Sequence, residues 1–468
     1  MKICLSAAVL LAVAFALSAA EPARAVKPNV LFIISDDQGF SDFGFTGNPV
    51  AKTPELDRLA AQSAVFENFV VAPACSPSRT AFYTGRDHLL GGVWGVPPRA
   101  NLRPDETLMP AFFRAAGYRT FYAGKADTAR LPDSSSWDRG WDNGYFVSGY
   151  QHRDPVLPSR YGTVRPQGWT ADITTDLILD FWKENRAQPW FATAAYIIPH
   201  LPWVCDDAYS APLLARGYSP DLAQCYGSIA QLDAAIGRLL DGLRELGQEQ
   251  DTVVVFVSDN GMTNKATVDR ELSADDWAKR NLHRLRGHKA TVWENGIRVP
   301  CLVRWPGRIV PGKRSQFGGA EDILPTLLDL AGIQADSVPH LPLTGVSLRA
   351  ALEDASTQED RPNLFRMAIA GPGSPRDGVP DRQQRRFADH HLTLRGPRFK
   401  YHALPGGSGA LYDLAADPGE TEDVQGTFPD VAARMARECR ERWDAILASG
   451  RAFAPAPEGA KKRLPPNR

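Results

Sequence analysis

Cysteine is scarce in this chain of 468 residues, six in all, and no two of them form a CxxC pair. A zinc site built on thiolates usually draws on such closely spaced pairs and is not expected. Net charge is equally scant, with 53 Lys and Arg standing against 54 Asp and Glu. The resulting −1 supplies no whole-molecule field for nucleic acid or an anionic membrane, so neither is expected as a partner. Any polyanion must then be held by local clusters. The apolar run from Leu5 to Leu17 falls short of the roughly 20 residues of a membrane-spanning helix. Internal repeats are also lacking.

What is present belongs to an ordinary globular protein: 43% hydrophobic and 23% charged residues, in a chain long enough for two cores. Disordered and collagen-like readings are thereby ruled out. The start has the pattern of a cleaved export signal over residues 1–25, with Lys2, the apolar run, and small residues at Ala19-Ala20 and Ala23-Arg24-Ala25. Cys4 precedes the run, against a lipid-anchored cysteine. The expectation is an exported protein, periplasmic or secreted, without a stable membrane anchor. Beyond the signal lie Cys75, Cys205, Cys225, Cys301 and Cys439, an odd number in a compartment that permits disulfides. One of them must be free, intermolecular or modified, and Cys205 with Cys225 is a candidate short-loop bridge.

Asn29 to Ser35 (NVLFIIS) and Thr252 to Ser258 (TVVVFVS) are continuous apolar runs suited to strands buried on both faces of a parallel sheet. Apolar residues three and four apart predict helices over Pro54–Phe66, Asp172–Glu184 and Cys225–Leu246, and another over Glu321–Ala331 stopped by Gly332. The fold class is therefore α/β, a mostly parallel central sheet flanked by helices. After about Ala335, Pro and Gly become frequent and short strands are expected at Leu392–Leu394 and Phe399–His402. Residues 26–335 are expected to form the larger domain and 336–455 a smaller C-terminal α+β domain closed by a helix over Pro429–Leu447. A disordered tail is expected over 456–468.

Both apolar strands end in acid-bearing pairs, Asp36-Asp37 and Asp259-Asn260. Ligands of open α/β sheets bind at the carboxyl ends of strands, so the pairs can converge. Three carboxylates and an amide oxygen together call for a hard cation, Ca²⁺ or Mg²⁺. The plain alternative is that each Asp caps a following turn. Sharper still is Cys75-Ser76-Pro77-Ser78-Arg79, followed by Thr80 to Thr84 and Gly85-Arg86. Pro77 suits the first helical position with Ser76 as N-cap, and Gly85 suits the helix end. Cys75 is thus placed at a helix N-terminus facing an anion, with Arg79 one turn on and able to reach back to it.

C-x-P-S-R followed by T-G resembles the signature of the type I sulfatases, formylglycine-dependent members of the alkaline phosphatase superfamily. The resemblance runs over most of residues 28–335, with a weaker echo in Leu411-Tyr412-Asp413-Leu414 and Asp417-Pro418-Gly419-Glu420. It implies an alkaline phosphatase-like fold with the catalytic domain at 26–335, and sulfate ester hydrolysis by a formylglycine made from Cys75 by a maturation enzyme. The hydrated aldehyde has one hydroxyl to attack sulfur and a second whose deprotonation expels sulfate; a serine would stay trapped as the ester. By resemblance, Asp36, Asp37, Asp259 and Asn260 bind one Ca²⁺ together with an oxygen of the modified residue 75 or of the sulfate. Arg79 orients the diol, Lys125 and Lys289 bind sulfate, and His200 contacts sulfate and protonates the departing alkoxide. The family places His two residues after the first lysine, as the base that ends the cycle. Here Asp127 stands in that position, leaving Asp127, His152 or His288 as the base.

Substrate signals are thinner. Between Trp137 and Trp169, Trp141, Tyr145, Tyr150, His152, Arg153, Arg160 and Tyr161 suit either stacking on sugar rings or anchoring of a loop. Arg376 to His391 adds Arg382, Arg385 and Arg386, which either overhang the cleft or form a solvated face. A sulfated glycan or sulfated small molecule is the expected substrate. The alternatives are a phosphonate monoester or phosphodiester hydrolase of the same superfamily, and a catalytically silent sulfoglycan-binding protein.

Overall fold

The computed structural model describes residues 27–96, 102–126, 139–147, 149–369 and 386–451. The signal segment, Asp127, the stretch from Arg376 to Arg385 and the expected tail lie outside them. In chain order the strands of the large sheet are β1 (Asn29–Ser35), β2 (Ala64–Val70), β3 (Arg119–Lys125), β4 (Asn143–Val147), β5 (Leu157–Ser159), β6 (Gly162–Val164), β7 (Trp190–Ala195), β8 (Thr252–Ser258), β9 (Arg298–Arg304), β10 (Gly312–Arg314) and β11 (Gly318–Gly319). They lie in the order β10-β2-β9-β8-β1-β7-β3-β4-β5-β6, with β11 beside β2. The central four, β8-β1-β7-β3, are all parallel.

β1 and β8 are buried along their whole length, which is why they read as unbroken apolar runs. Alternate residues of β1 feed two cores. Val30, Phe32 and Ile34 pack with the helices Cys75–Thr84, Met109–Ala115 and Ile323–Leu330, while Leu31 and Ile33 pack with Pro54–Ala61, Thr170–Asn185 and Pro220–Glu245. A second, antiparallel sheet holds β12 (Leu364–Met367), β13 (Leu392–Arg395), β14 (Phe399–Ala403) and β15 (Gly409–Asp413) in that order. The helix Pro429–Ala448 covers it with Met435, Cys439, Trp443 and Ile446. Among the described residues no helix is long and apolar enough to cross a membrane.

Three local expectations are corrected. The helix from Pro54 stops at Ala61, because Ala64, Val65 and Phe66 pair with Val303, Leu302 and Cys301 of β9 as part of β2. The helix at the Cys75 motif starts at Cys75 itself, after an extended Ala74 (φ −156°, ψ 167°), so Pro77 is its third residue and Ser76 is no cap. Proline is tolerated there because the first-turn N–H groups have no intrahelical acceptor. Gly85 does end this helix in the left-handed conformation (φ 63°). Cys205 and Cys225 are both free. The Cys205 thiol turns to Gln224 Oε1 at 3.4 Å, and Cys225 packs in an apolar cluster with Leu222 and Ile229.

The two sheets are tied by buried charge. Arg366 of β12 is fully buried and donates to both oxygens of Glu321 at 2.7 and 2.8 Å, and to the Val71 carbonyl at 3.0 Å. Replacing Arg366 by Met is expected to cost about 3–5 kcal/mol, because Glu321 is left buried without a counter-charge. The urea midpoint of unfolding should fall accordingly, and adding Glu321→Leu should restore most of it. A single variant with the wild-type midpoint would show that this pair does not join the sheets.

Candidate active site

The parallel register sets the site. Ser35 stands opposite Ser258, so the residues that follow, Asp36-Asp37 and Asp259-Asn260, leave β1 and β8 side by side. On the other flank Ile34 pairs with Ala195 of β7, and Asp36 N–H donates to the carbonyl of Ile198 at 3.3 Å on the way to His200. Gly124 of β3 pairs with Ala195, and Lys125 follows. Gly124 has φ +117°, and a Cβ there would run into the Ala195 carbonyl oxygen, so glycine is required one residue before that lysine. Four neighbouring strands thus deliver their ends to one edge.

Asp36, Asp37, Asp259 and Asn260 are all buried. Asp37 N–H donates to Asp259 Oδ1 at 3.3 Å, and Asn260 Nδ2 donates to Asp37 Oδ1 at 2.8 Å. Asp37 has φ 68°, a left-handed conformation that costs a non-glycine residue energy and is held by its surroundings. Part of that support escaped the sequence reading. Arg280, fully buried, bonds Asp42 at 2.8 Å and reaches the Asp37 carbonyl at 3.4 Å, while Asp42 accepts from Gly39 N–H at 3.0 Å. Asp42 and Arg280 are 238 residues apart and carry no local motif.

Cys75, 3% exposed, faces this acidic cluster from its helix, within 4.8 Å of oxygens of Asp36 and Asp259. Three cations surround it. Lys125 Nζ bonds Asp36 Oδ2, Lys289 Nζ lies 2.6 Å from Asp37 Oδ1, and Arg79 Nε donates to Asp259 Oδ2 at 2.8 Å. The guanidinium of Arg79 is therefore directed to Asp259, with Asp36 4.0 Å away. Lys289 is carried by a loop in which Ala290 (φ 74°) bonds the Pro73 carbonyl and accepts from Ile369 N–H at 2.9 Å. The same loop is braced from the second sheet: Glu294 meets Lys400 at 2.9 Å and Arg395 at 3.1 Å, and its N–H donates to Glu420 at 2.6 Å.

His200 Nε2 lies 3.7 Å from Asp37 Oδ2, and Nδ1 is 2.6 Å from the Leu201 carbonyl. A carbonyl only accepts, so Nδ1 carries the proton of the neutral ring and Nε2 faces the site. Burial, reinforced by Lys289, pushes His200 down to about 3 against the pull of Asp37. Burial and Asp36 push Asp259 up to about 6, with Arg79 opposing. Burial also works against the charge on Asp37, but Lys289, His200 and Lys125 outweigh it and hold that carboxyl below the usual range. His152 is buried within electrostatic reach of His200 and Lys125, and burial takes it down to about 4. His288 instead bonds the Lys289 carbonyl through Nδ1 at 2.8 Å.

The residues present fit a hard divalent cation. Asp36 Oδ1 and Asn260 Oδ1 are buried and lack any hydrogen-bond partner, an arrangement that is costly unless something positive binds there. Of the aromatic residues between Trp137 and Trp169, Trp141 is core, packing on Tyr122 and Phe191. Tyr145 is half-buried against the sheet, whereas Tyr150 and Tyr161 are 45% and 79% exposed.

A family model described as Sulfatase matches residues 28–333. Arylsulfatase A of Bos taurus is 29% identical, over 94% of this chain and 92% of its own length. N-acetylgalactosamine-6-sulfatase of Mus musculus is 30% identical, over 72% of this chain and 69% of its own. The crystal structure of Ps i-CgsB in complex with k-i-k-neocarrahexaose superposes with a TM-score of 0.75 at 24% identity, covering 90% of this chain and 93% of that one.

Proposed function

The chain belongs to the sulfatase family and is a sulfuric ester hydrolase, and we propose that it desulfates carbohydrates through a formylglycine made from Cys75, with calcium at its side. The observation that carries this reading is the placement of Cys75 against Asp36 and Asp259, with Arg79, Lys125 and Lys289 around the same point. The saccharide part draws support from the N-acetylgalactosamine-6-sulfatase relative and from the neocarrahexaose complex of Ps i-CgsB. Residues 26–335 would be the catalytic domain and 336–455 the smaller domain, in an exported protein, periplasmic or secreted.

Asp36, Asp37, Asp259 and Asn260 would hold the calcium with an oxygen at residue 75, where the cysteine Sγ now stands. Bound there, the ion would acidify the hydroxyls of the hydrated aldehyde and neutralise sulfate charge. Lys125 and Lys289 would turn from the carboxylates to the sulfate oxygens as those carboxylates engage the ion. Arg79 would orient the residue-75 hydroxyls. The negative charge of a bound ester would raise the proton affinity of the ring, so that His200 takes up a second proton at Nε2 and gives it to the leaving oxygen. Asp127 is the base proposed for the release of sulfate, with His152 the alternative. Cys75 is buried, so the maturation enzyme must act before folding closes the site.

Enzyme made in a host with maturation activity should release sulfate from an aryl sulfate at a far higher initial rate than it cleaves an aryl phosphodiester, and the residue-75 peptide should carry the formylglycine mass. The reverse rate order would make it a phosphodiester or phosphonate hydrolase. Binding of sulfated glycan without any sulfate release would make it a binding protein.

A further inference from the structure

The ring of Tyr150 lies parallel to the His200 imidazole, 4.0 Å between centroids and 5° between planes. The Lys125 ammonium is 4.9 Å from the same ring. Tyr150 touches two proposed site residues while remaining 45% exposed. An imidazole has two torsions to fix. The Nδ1 bond to the Leu201 carbonyl restrains where the ring points, but rotation about that bond still swings Nε2 out of line. A flat ring stacked on the imidazole face removes that freedom.

We propose that Tyr150 is a positioning residue for His200, holding Nε2 toward the departing oxygen, and that the pair suits the enzyme to esters of alcohols of high pKa. The inference rests on the assignment of His200 as the proton donor. A phenolate leaves without help, whereas the alkoxide of a sugar hydroxyl needs its proton as the ester bond breaks. Exposure of Tyr150 beside both Lys125 and His200 also places its ring at the border between the sulfate and the alcohol portion of the substrate.

The test uses matured full-length enzyme, a series of aryl sulfates of graded phenol pKa, and one alkyl substrate, a monosaccharide 6-sulfate. In wild type, kcat/KM should depend weakly on leaving-group pKa. His200→Ala should steepen that dependence, losing about 10²-fold or more on the alkyl ester and much less on the most acidic phenol. Tyr150→Ala and Tyr150→Leu should steepen it in the same direction, by about tenfold or more on the alkyl ester, and Tyr150→Phe should recover the wild-type slope. A wild-type slope in both Tyr150→Ala and Tyr150→Leu, or an equal loss on every substrate, would overturn the positioning role. An unchanged slope in His200→Ala would instead remove the donor assignment, and no turnover by wild type would remove the sulfatase reading itself.

Discussion

Cys75→Ala is expected to lose about 10⁴-fold or more of its rate on an activated aryl sulfate while unfolding cooperatively at nearly the wild-type temperature. The first half follows from nucleophilic chemistry, in which removing the attacking group leaves only binding and electrostatic assistance. The second follows from size. The thiol is 3% exposed at the start of a helix whose other anchors are untouched, including the Ser78 hydroxyl, which bonds Ala72 N–H at 2.9 Å and the Ala74 carbonyl at 3.0 Å. Cys75→Ser separates the two half-reactions. A serine hydroxyl can accept sulfate but has no second hydroxyl with which to expel it, so mass spectrometry should find a stoichiometric sulfate ester on residue 75. A Cys75→Ala protein that turns over at the wild-type rate would refute formylglycine chemistry here.

Removal of the proposed calcium is expected to have the second large effect. Asp36, Asp37 and Asp259 are three buried carboxylates in one small volume, and without an ion they rely on Lys125, Lys289 and Arg79 for neutralisation. In the proposed mechanism the lysines cannot serve carboxylates and sulfate at once. Exhaustive chelation should therefore cost about 10²–10³-fold in kcat/KM, the magnitude attached to losing an electrostatic contact to the transition state. The unfolding temperature should drop as well, because an ion held by the native state alone stabilises it, by about 2.7 kcal/mol at a hundred times the dissociation constant. Readdition of Ca²⁺ should restore both quantities. Full activity and an unmoved unfolding temperature after chelation would remove the ion from the site.

Much of this architecture is legible in the sequence. The two apolar runs became β1 and β8 with the expected limits, because a strand buried on both faces leaves a run with no polar interruption. The closing helix was legible too, since Met435, Cys439, Trp443 and Ile446 repeat at helical spacing. The end of the helix from Pro54 was not. Ala64 to Phe66 continue its apolar pattern and become strand only because β9 lies beside them. Arg280 escaped for a related reason, and Tyr150 stood out without its partner His200, since in neither case is the partner nearby in sequence.

By itself, then, the sequence determined the α/β class, the Cys75 motif with its helix, and the acid pairs at the ends of two strands. Those are local properties, set by side-chain type and spacing along the chain. Tertiary structure decided that the pairs meet, through the register that sets Ser35 against Ser258. It also decided that Arg79 turns to Asp259, that Cys205 and Cys225 stay apart, and that Tyr150 stacks on His200. Each of these depends on a contact between residues brought together by strand register or loop packing.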